Sequence, residues 1–177
     1  IYALLGEYHI VGKKDWQPYE VAGYLYRQKM VSNISEEELA ARISLKKTEV
    51  AHSIKVYQFM LDHHAIPSRW SYYDEYLKST KIKKLRKEYP ELDKTVVKKI
   101  KAGEISKAVD IRDGLKKIAE AGGKTAKKFA TGQVDFETSV DRAISGGKTD
   151  ACYKKLFVFR EWLHRNKTKT ELLELEE

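Results

Sequence analysis

Apolar residues recur at helical spacing along most of this chain, and the clearest example is the stretch from Ser35 to Leu61. The spacing predicts two helices separated by a tight break, because each half repeats its apolar residues at helical intervals. Both helices would therefore turn one apolar face toward a shared core. The positions concerned are Leu39, Ala40 and Ile43 in the first helix and Val50, Ile54, Tyr57 and Leu61 in the second.

The residues at the borders of these two helices favour the same assignment. Ser35 can cap the first helix, and Glu38 follows three residues later, so a capping box is available. Ser44 and Leu45 leave room only for a turn, and the small Ala40 lets the two helices cross closely. This is the spacing of a helix-turn-helix, whose second helix enters a DNA major groove. An ordinary helical hairpin inside a protein core fits the same spacing.

The remaining sequence also predicts helices, so we expect an all-α, multi-helical fold of nine or ten helices. An earlier helix would begin after Asp15 as its cap, with Pro18 in its first turn and its end near Met30. Aromatic stripes after residue 68 are typical of helices that face a core. We divide the chain into a helix-turn-helix domain of residues 1–66 and a basic helical domain of residues 67–177 with no assigned role.

The composition favours a negatively charged partner. The chain has 34 Lys and Arg residues against 26 Asp and Glu residues, a formal net charge of +8. Nucleic acid is the simplest partner for such a domain, and a membrane surface is the competitor. No apolar run is long enough to span a bilayer, and we expect neither a signal peptide nor a membrane partner. The single cysteine, Cys152, excludes an internal disulfide and fits a reducing cytosol, so we expect a cytoplasmic location.

Two motifs in the first 65 residues resemble the ParB family of partition proteins. In that family a loop of the form (D)LxPxEEA begins a helix, and a helix-turn-helix of the form EELAxxxGxSxxTVxxxLRLL follows. This chain has DWQPYEVA and then SEEELAARISLKKTEVAHSIKV. The resemblance implies sequence-specific binding of double-stranded DNA, as in partition or in a transcription regulator, and hence a nucleoid-associated protein. The matching residues are Trp16, Pro18, Glu20 and Ala22 in the first motif and Glu37, Glu38, Leu39, Ala40, Ile43, Val50 and Ile54 in the second.

Three positions depart from the family pattern. Ser44 replaces the turn glycine, Lys46 replaces the serine expected to cap the second helix, and Glu49 replaces a threonine. Since a lysine side chain cannot accept hydrogen bonds from helix N–H groups, we expect Thr48 or Ser44 to cap instead. The family's arginine-rich nucleotide-binding box has no equivalent in this sequence. The resemblance therefore implies the DNA-binding part of such a protein, without CTP binding or nuclease activity.

The positive charge is concentrated in a basic block from Lys78 to Lys128, with 15 lysines and two arginines against seven acidic residues. Two segments of this block, 98–106 and 127–135, resemble each other. Each predicts a helix end, a left-handed glycine, an apolar residue and a Ser or Asp that can cap the next helix. Lysines on the solvent faces of amphipathic helices would give the same composition. The lysines at the two equivalent helix ends, our candidates for phosphate contacts, are Lys98, Lys99, Lys127 and Lys128.

The sequence holds no residue set that predicts catalysis, a cofactor or a metal site, so we expect no enzyme activity. The adjacent His63 and His64 would point about 100° apart on a helix and could not share one ion. Two alternatives to a partition or regulator protein stay open. One is a helical protein-interaction module, with homodimer formation through the acidic tail after Asn166. The other is the DNA-binding remnant of a ParB-like nuclease. The candidate DNA-binding residues are Lys46, Lys47, Thr48, Glu49, His52, Ser53 and Lys55, with Lys98, Lys99, Lys127 and Lys128.

Overall fold

The computed structural model describes residues 16–145 and a helix of residues 151–163, in which the side chains of 156–162 are described. Every regular element within these residues is helical, which confirms the all-α prediction. Ten α-helices lie there, with a 3₁₀ turn, Pro67–Arg69, and a π-helical segment, Asp110–Leu115. The α-helices are α1 Pro18–Ser32, α2 Glu36–Arg42, α3 Lys47–Asp62, α4 Trp70–Lys78, α5 Thr80–Glu88, α6 Leu92–Lys101, α7 Lys116–Ala121, α8 Gly123–Ala130, α9 Phe136–Ile144 and α10 Ala151–Leu163.

Helix α1 begins at Pro18, which takes the first helical position as predicted because its missing N–H needs no partner there. The residue before it, Gln17, is the N-cap residue, and its N–H donates a hydrogen bond to the Glu20 carboxylate at 2.9 Å. The predicted cap, Asp15, lies outside the described residues. Since α1 begins at Pro18, its N-cap residue is Gln17 and not the predicted Asp15.

Helix α2 begins as the sequence predicted. Ser35 Oγ accepts a hydrogen bond from the Glu38 N–H at 3.1 Å, which satisfies one of the free donors of the first turn. Arg42 Nη2 in turn donates to Glu38 Oε1 at 2.6 Å, one turn further along the helix. Three glutamates in the first turn complement the positive end of the helix dipole. Local sequence thus determines where this short helix starts.

The first hydrophobic core joins α1, α2 and the N-terminal half of α3. Helix α1 packs closely along α3, and Gly23 permits this approach because a Cβ there would lie only 2.9 Å from the Tyr57 ring. All three apolar positions predicted for α2, and the first two predicted for α3, are buried here. The buried residues of this core are Tyr24, Leu25, Leu39, Ala40, Ile43, Val50 and Ile54.

A second, larger core runs from the C-terminal half of α3 through α9. The aromatic stripes of α4 are buried in it, as predicted, and Tyr73 and Tyr76 are almost inaccessible to solvent. The Tyr76 hydroxyl donates to Asp93 Oδ1 at 2.6 Å, and Arg86 donates to both carboxylate oxygens at 2.6 and 2.7 Å. This hydrogen-bonded network connects α4, α5 and α6.

Helix α3 contributes to both cores, so the two units of the predicted domain division share one helix. Val56, Phe59 and Met60 are buried in the second core. Leu61, predicted to face the first core, is 40% exposed. That prediction was wrong because the buried side of α3 shifts around the helix, from α1 and α2 toward α4.

The corners after α6 and α8 follow the internal repeat seen in the sequence. Gly103 and Gly132 have φ of +81° and +72°, in the left-handed region that glycine adopts without strain. Asp135 caps α9, since its Oδ1 accepts a backbone N–H at 2.8 Å. The other corner differs: the Asp110 carboxylate accepts from the Ser106 N–H at 3.1 Å, so Ser106 is a donor there and not the predicted cap.

Helix α10 is held to α9 by Arg160, whose Nη1 donates to Asp141 Oδ2 at 2.6 Å. The Cys152 side chain and the acidic tail lie outside the described residues. None of the helices described is long and apolar enough to cross a membrane. Most of the large apolar side chains described on α10 face solvent; the exposed ones are Leu156, Val158, Phe159 and Trp162.

Candidate nucleic-acid interface

A four-residue turn, 43–46, joins α2 to α3. Ser44 has a φ of 55°, in the left-handed region that the glycine of the family motif would adopt freely. The Leu45 N–H donates to the Ala40 carbonyl at 3.1 Å, which closes the end of α2. Helix α3 then begins directly after the extended residue Lys46. The turn thus lies where the sequence predicted it but extends one residue beyond Ser44 and Leu45 on each side, and a serine takes the left-handed position.

The first turn of α3 is capped by an unexpected residue. Glu49 Oε2 accepts a hydrogen bond from the Lys46 N–H at 3.0 Å, so a glutamate inside the helix satisfies a donor at its start. The predicted caps are therefore wrong: Thr48 lies within the helix, and Ser44 lies in the turn before it. All of the residues from Ser44 to Glu49 are exposed to solvent.

The Lys47 ammonium pairs with the Glu37 carboxylate across the α2–α3 corner. The hydrogen bond from Lys47 lowers the pKa of Glu37 below its ordinary value and raises the pKa of Lys47. Both side chains are more than half exposed, so water competes for each and the pair adds little stability. Lys47 is therefore held near the turn yet can be released to another acceptor.

Four residues of α3 form one stripe of the helix surface: Thr48, His52, Lys55 and Phe59. They follow one another at intervals of four, three and four residues, which is the spacing of a single helix face. Thr48 and Lys55 are exposed. Phe59 is buried in the second core, and the guanidinium carbon of Arg86 lies 5.4 Å from its ring centre. The second half of the chain therefore covers the C-terminal end of this stripe, and Thr48 and Lys55 stay accessible.

His52 and Ser53, both predicted to face base edges, are only partly accessible. His52 Nε2 lies 2.7 Å from Asp74 Oδ1 on α4, and the His52 side chain is 28% exposed. Ser53 is half-buried on the flank that leads to Val56. Adjacent helical residues point in different directions, so the two side chains do not share one surface. Of the pair, His52 lies on the stripe that includes Thr48.

The charges of the chain are distributed unequally between its two parts. Residues 16–66 carry six basic and six acidic side chains, so the part that holds α1–α3 has no net formal charge. The surplus lies in the basic block, where Lys98, Lys127 and Lys128 are exposed. A contact of these lysines with phosphate stays a prediction.

Lys99 cannot serve as a phosphate contact in this fold. It is only 7% exposed, and its Nζ donates to Glu104 Oε2 at 2.6 Å while lying 5.8 Å from the Phe129 ring centre. The prediction for Lys99 was wrong because α6 turns this position toward α8. The resemblance between the two lysine pairs holds for the backbone corner and not for the exposure of the side chains.

Among the described residues no group of three or more His, Cys, Asp or Glu side chains could hold a metal ion. No protein-family model, no curated protein and no solved structure matches the chain. The resemblance to the partition proteins accordingly depends on the two sequence motifs alone.

Sequence reasoning missed the acidic neighbour of the α3 stripe, Asp74. Its place beside His52 depends on the packing of α4 against α3, and nothing in the local sequence around either residue indicates the contact. It also missed the lysines of α5, although their alternation with Ile82 and Leu85 was visible in the sequence. Asp74 contacts α3 at His52, and α5 contacts α3 at Phe59 through Arg86.

Proposed function

We propose that this chain binds double-stranded DNA sequence-specifically, with the first two turns of α3 in the major groove. The observation that carries the proposal is the accessible start of α3 directly after a four-residue turn. Residues 46–49 are all exposed, and the second half contacts the stripe only from His52 onward. Recognition helices of this kind contact base edges mainly through their N-terminal residues.

Lys47 and Thr48 in the first turn are the side chains best placed to contact bases, and Lys55 follows on the same side at the start of the third turn. A lysine ammonium donates to guanine O6 and N7, and the threonine methyl group packs against the methyl group of thymine. Glu49 uses one carboxylate oxygen to cap the helix, which leaves the other for a cytosine amino group. Lys46 lies at the helix start and is assigned to phosphate.

The unequal distribution of charge supports different roles in DNA binding for the two parts of the chain. Because residues 16–66 have no net formal charge, attraction to phosphate would come from the basic block. Contacts to phosphate position a protein on the duplex, whereas contacts to base edges provide sequence discrimination. The protein would act in the cytoplasm on the nucleoid, in partition or in transcriptional regulation.

A binding assay with fragments of genomic DNA at two salt concentrations tests this proposal. We expect all fragments to be retarded at low salt and a small subset to remain bound at higher salt. Non-specific binding weakens with a slope of about 0.9 in log–log units for each phosphate neutralised, so a specific subset separates clearly. Equal loss of all fragments would exclude sequence specificity, and no retardation at low salt would exclude DNA binding.

A protein-interaction role is the second candidate, and α10 favours it. Four large apolar side chains of this helix are exposed, and Phe159 and Trp162 stack with ring centres 5.8 Å apart. Exposed apolar patches of this kind commonly mark protein contacts, and a second copy of the chain is the simplest partner. Sedimentation equilibrium of the wild type and of a Phe159→Ser, Trp162→Ser variant tests this: the wild type should dimerise and the variant should not.

A further inference from the structure

Helix α5 presents a face made almost entirely of lysine. Ile82 and Leu85 are buried in the second core, which turns the other positions outward. Six positions of this nine-residue helix are exposed, and four of them are lysines. We call these four residues the α5 lysine face: Lys81, Lys83, Lys84 and Lys87.

Within the part of the chain that the structure describes, no ion pair neutralises this face. None of the ion pairs among the described residues involves one of its four lysines, although Arg86 on the same helix is bound by Asp93. Two other acidic residues of the basic block are engaged elsewhere: Glu104 pairs with Lys99, and Asp110 accepts backbone N–H groups. The positive charge of α5 is thus unpaired among the described residues and is available to bind an external partner.

Helix α5 also contacts α3, at the C-terminal end of the stripe that begins at Thr48. Its Arg86 guanidinium lies over Phe59, the last residue of the stripe that begins at Thr48. Eleven residues of helix separate the two stripe positions, a rise of about 16 Å at 1.5 Å per residue. The major groove is about 12 Å wide. Because this rise exceeds the groove width, the Phe59 end of the stripe would lie outside the groove, and α5 would lie near the sugar–phosphate backbone at the groove edge.

We propose that the α5 lysine face binds the phosphate backbone of the duplex whose major groove receives α3. This inference rests on the proposed function and adds the surface that provides most of the non-specific attraction. It assigns the phosphate contacts to α5 in preference to the helix ends of α6 and α8. Because phosphate is common to every sequence, this face contributes affinity without sequence discrimination.

The test is the salt dependence of duplex binding, measured by fluorescence anisotropy between about 50 and 300 mM KCl. The variant is the triple replacement Lys83→Gln, Lys84→Gln and Lys87→Gln, since glutamine has a helix propensity close to that of lysine. The matched control removes the same charge from α8. Its three replacements are Lys124→Gln, Lys127→Gln and Lys128→Gln. Both variants are assayed on the preferred site and on a random duplex.

We expect the α5 variant to reduce the log–log salt slope by roughly 2 to 3, about 0.9 for each phosphate that the variant no longer neutralises. The weakening should be equal on specific and random DNA, and the α8 control should change the slope by less than about 1. An unchanged slope for the α5 variant, or an equal reduction by the α8 control, would overturn the inference while leaving the proposed function intact. Absence of wild-type duplex binding would overturn both.

A membrane surface is the other large polyanion that this face could bind. A vesicle-binding experiment distinguishes lipid from DNA. Wild type and the α5 variant are sedimented with phosphatidylserine vesicles under the same salt conditions. We expect no vesicle binding that depends on α5. Vesicle binding that disappears in the α5 variant, with the duplex salt slope unchanged, would assign the face to lipid and overturn the inference.

Discussion

His52 on α3 and Asp74 on α4 form a hydrogen-bonded pair, with 2.7 Å between Nε2 of the histidine and Oδ1 of the aspartate. The pair connects the stripe of α3 that begins at Thr48 to α4, which packs in the second core. A carboxylate is thereby placed beside the surface to which we assign DNA. Its charge opposes the approach of phosphate, while its hydrogen bond fixes the orientation of the imidazole ring.

Replacement of Asp74 by asparagine separates these two effects. The amide oxygen can still accept from His52, but the negative charge is gone. We expect duplex affinity to rise roughly 2- to 5-fold on specific and random DNA alike, because the repulsion of phosphate is relieved. The free energy of unfolding should change by less than about 1 kcal/mol, since both side chains are near 30% exposed. Glu137→Gln on α9 is the control for the removal of charge, and a fall in affinity with Asp74→Asn would contradict this expectation.

Lys47 is the strongest candidate for a base contact. Lys47→Ala should weaken binding at the preferred site by about 1–3 kcal/mol if the ammonium contacts a base, and by less on random DNA. The companion variant Glu37→Gln frees Lys47 from its ion pair and should leave specific binding unchanged or stronger. Isothermal calorimetry on the two duplexes measures both effects. Equal losses on specific and random DNA would assign Lys47 to phosphate.

Features that depend on a few neighbouring residues were predictable from the sequence. The Ser35 cap, the buried Leu39 and Ile43, and the glycine corner at Gly132 each follow from chemistry within five residues. The all-α class followed for the same reason, because helical periodicity is a local signal.

Features that depend on the packing of distant helices were not predictable in the same way. Leu61 is exposed and Lys99 is buried because α4 and α8 decide which side of α3 and α6 is covered. The contact between His52 and Asp74 joins residues 22 positions apart. A pattern of charges could indicate that a basic surface exists, but it could not indicate that Lys99 would be buried and paired with Glu104.

Ser44 occupies a left-handed backbone position that favours glycine. We expect Ser44→Gly to stabilise the protein by about 0.5–1 kcal/mol, since relief of the backbone strain exceeds the added entropy of the unfolded chain. Urea denaturation measures the change. The control is Asn33→Gly, at a φ of 51°, where the gain should be smaller because asparagine tolerates this region. Destabilisation by Ser44→Gly would show that the serine side chain contributes more than the strain costs.

Gly23 is required where α1 crosses α3. A Cβ at this position would lie 2.9 Å from Cε2 of Tyr57, and that ring is confined between Tyr19 and Tyr26, whose centres are 5.0 and 5.3 Å away. We expect Gly23→Ala to cost about 1–3 kcal/mol of stability through overpacking. Combining it with Tyr57→Leu should recover part of the loss, so the double-mutant cycle should be non-additive. Additive effects would show that the helices separate freely.

Asp93 should make the stability of the fold depend on pH in the acid range. Burial alone raises the pKa of this carboxyl, but the hydrogen bonds from Arg86 and Tyr76 outweigh it and hold the pKa below its ordinary value. The same carboxylate raises the pKa of Arg86, and burial raises the pKa of Tyr76. The folded state therefore binds a proton at Asp93 less readily than the unfolded state does.

A carboxyl whose pKa is lowered by folding stabilises the protein fully above its unfolded pKa of about 4. This contribution is lost as the pH falls further, through the pKa of the folded state. We expect Asp93→Asn to cost about 1–3 kcal/mol at pH 7, because Arg86 keeps one neutral acceptor in place of two charged ones. The difference from the wild type should shrink steadily below about pH 4. Urea denaturation across the pH range measures this, with the exposed Glu120→Gln as the control that should show no such convergence. A difference that stays constant down to the lowest pH would mean that the network acts through packing and not through the charge of Asp93.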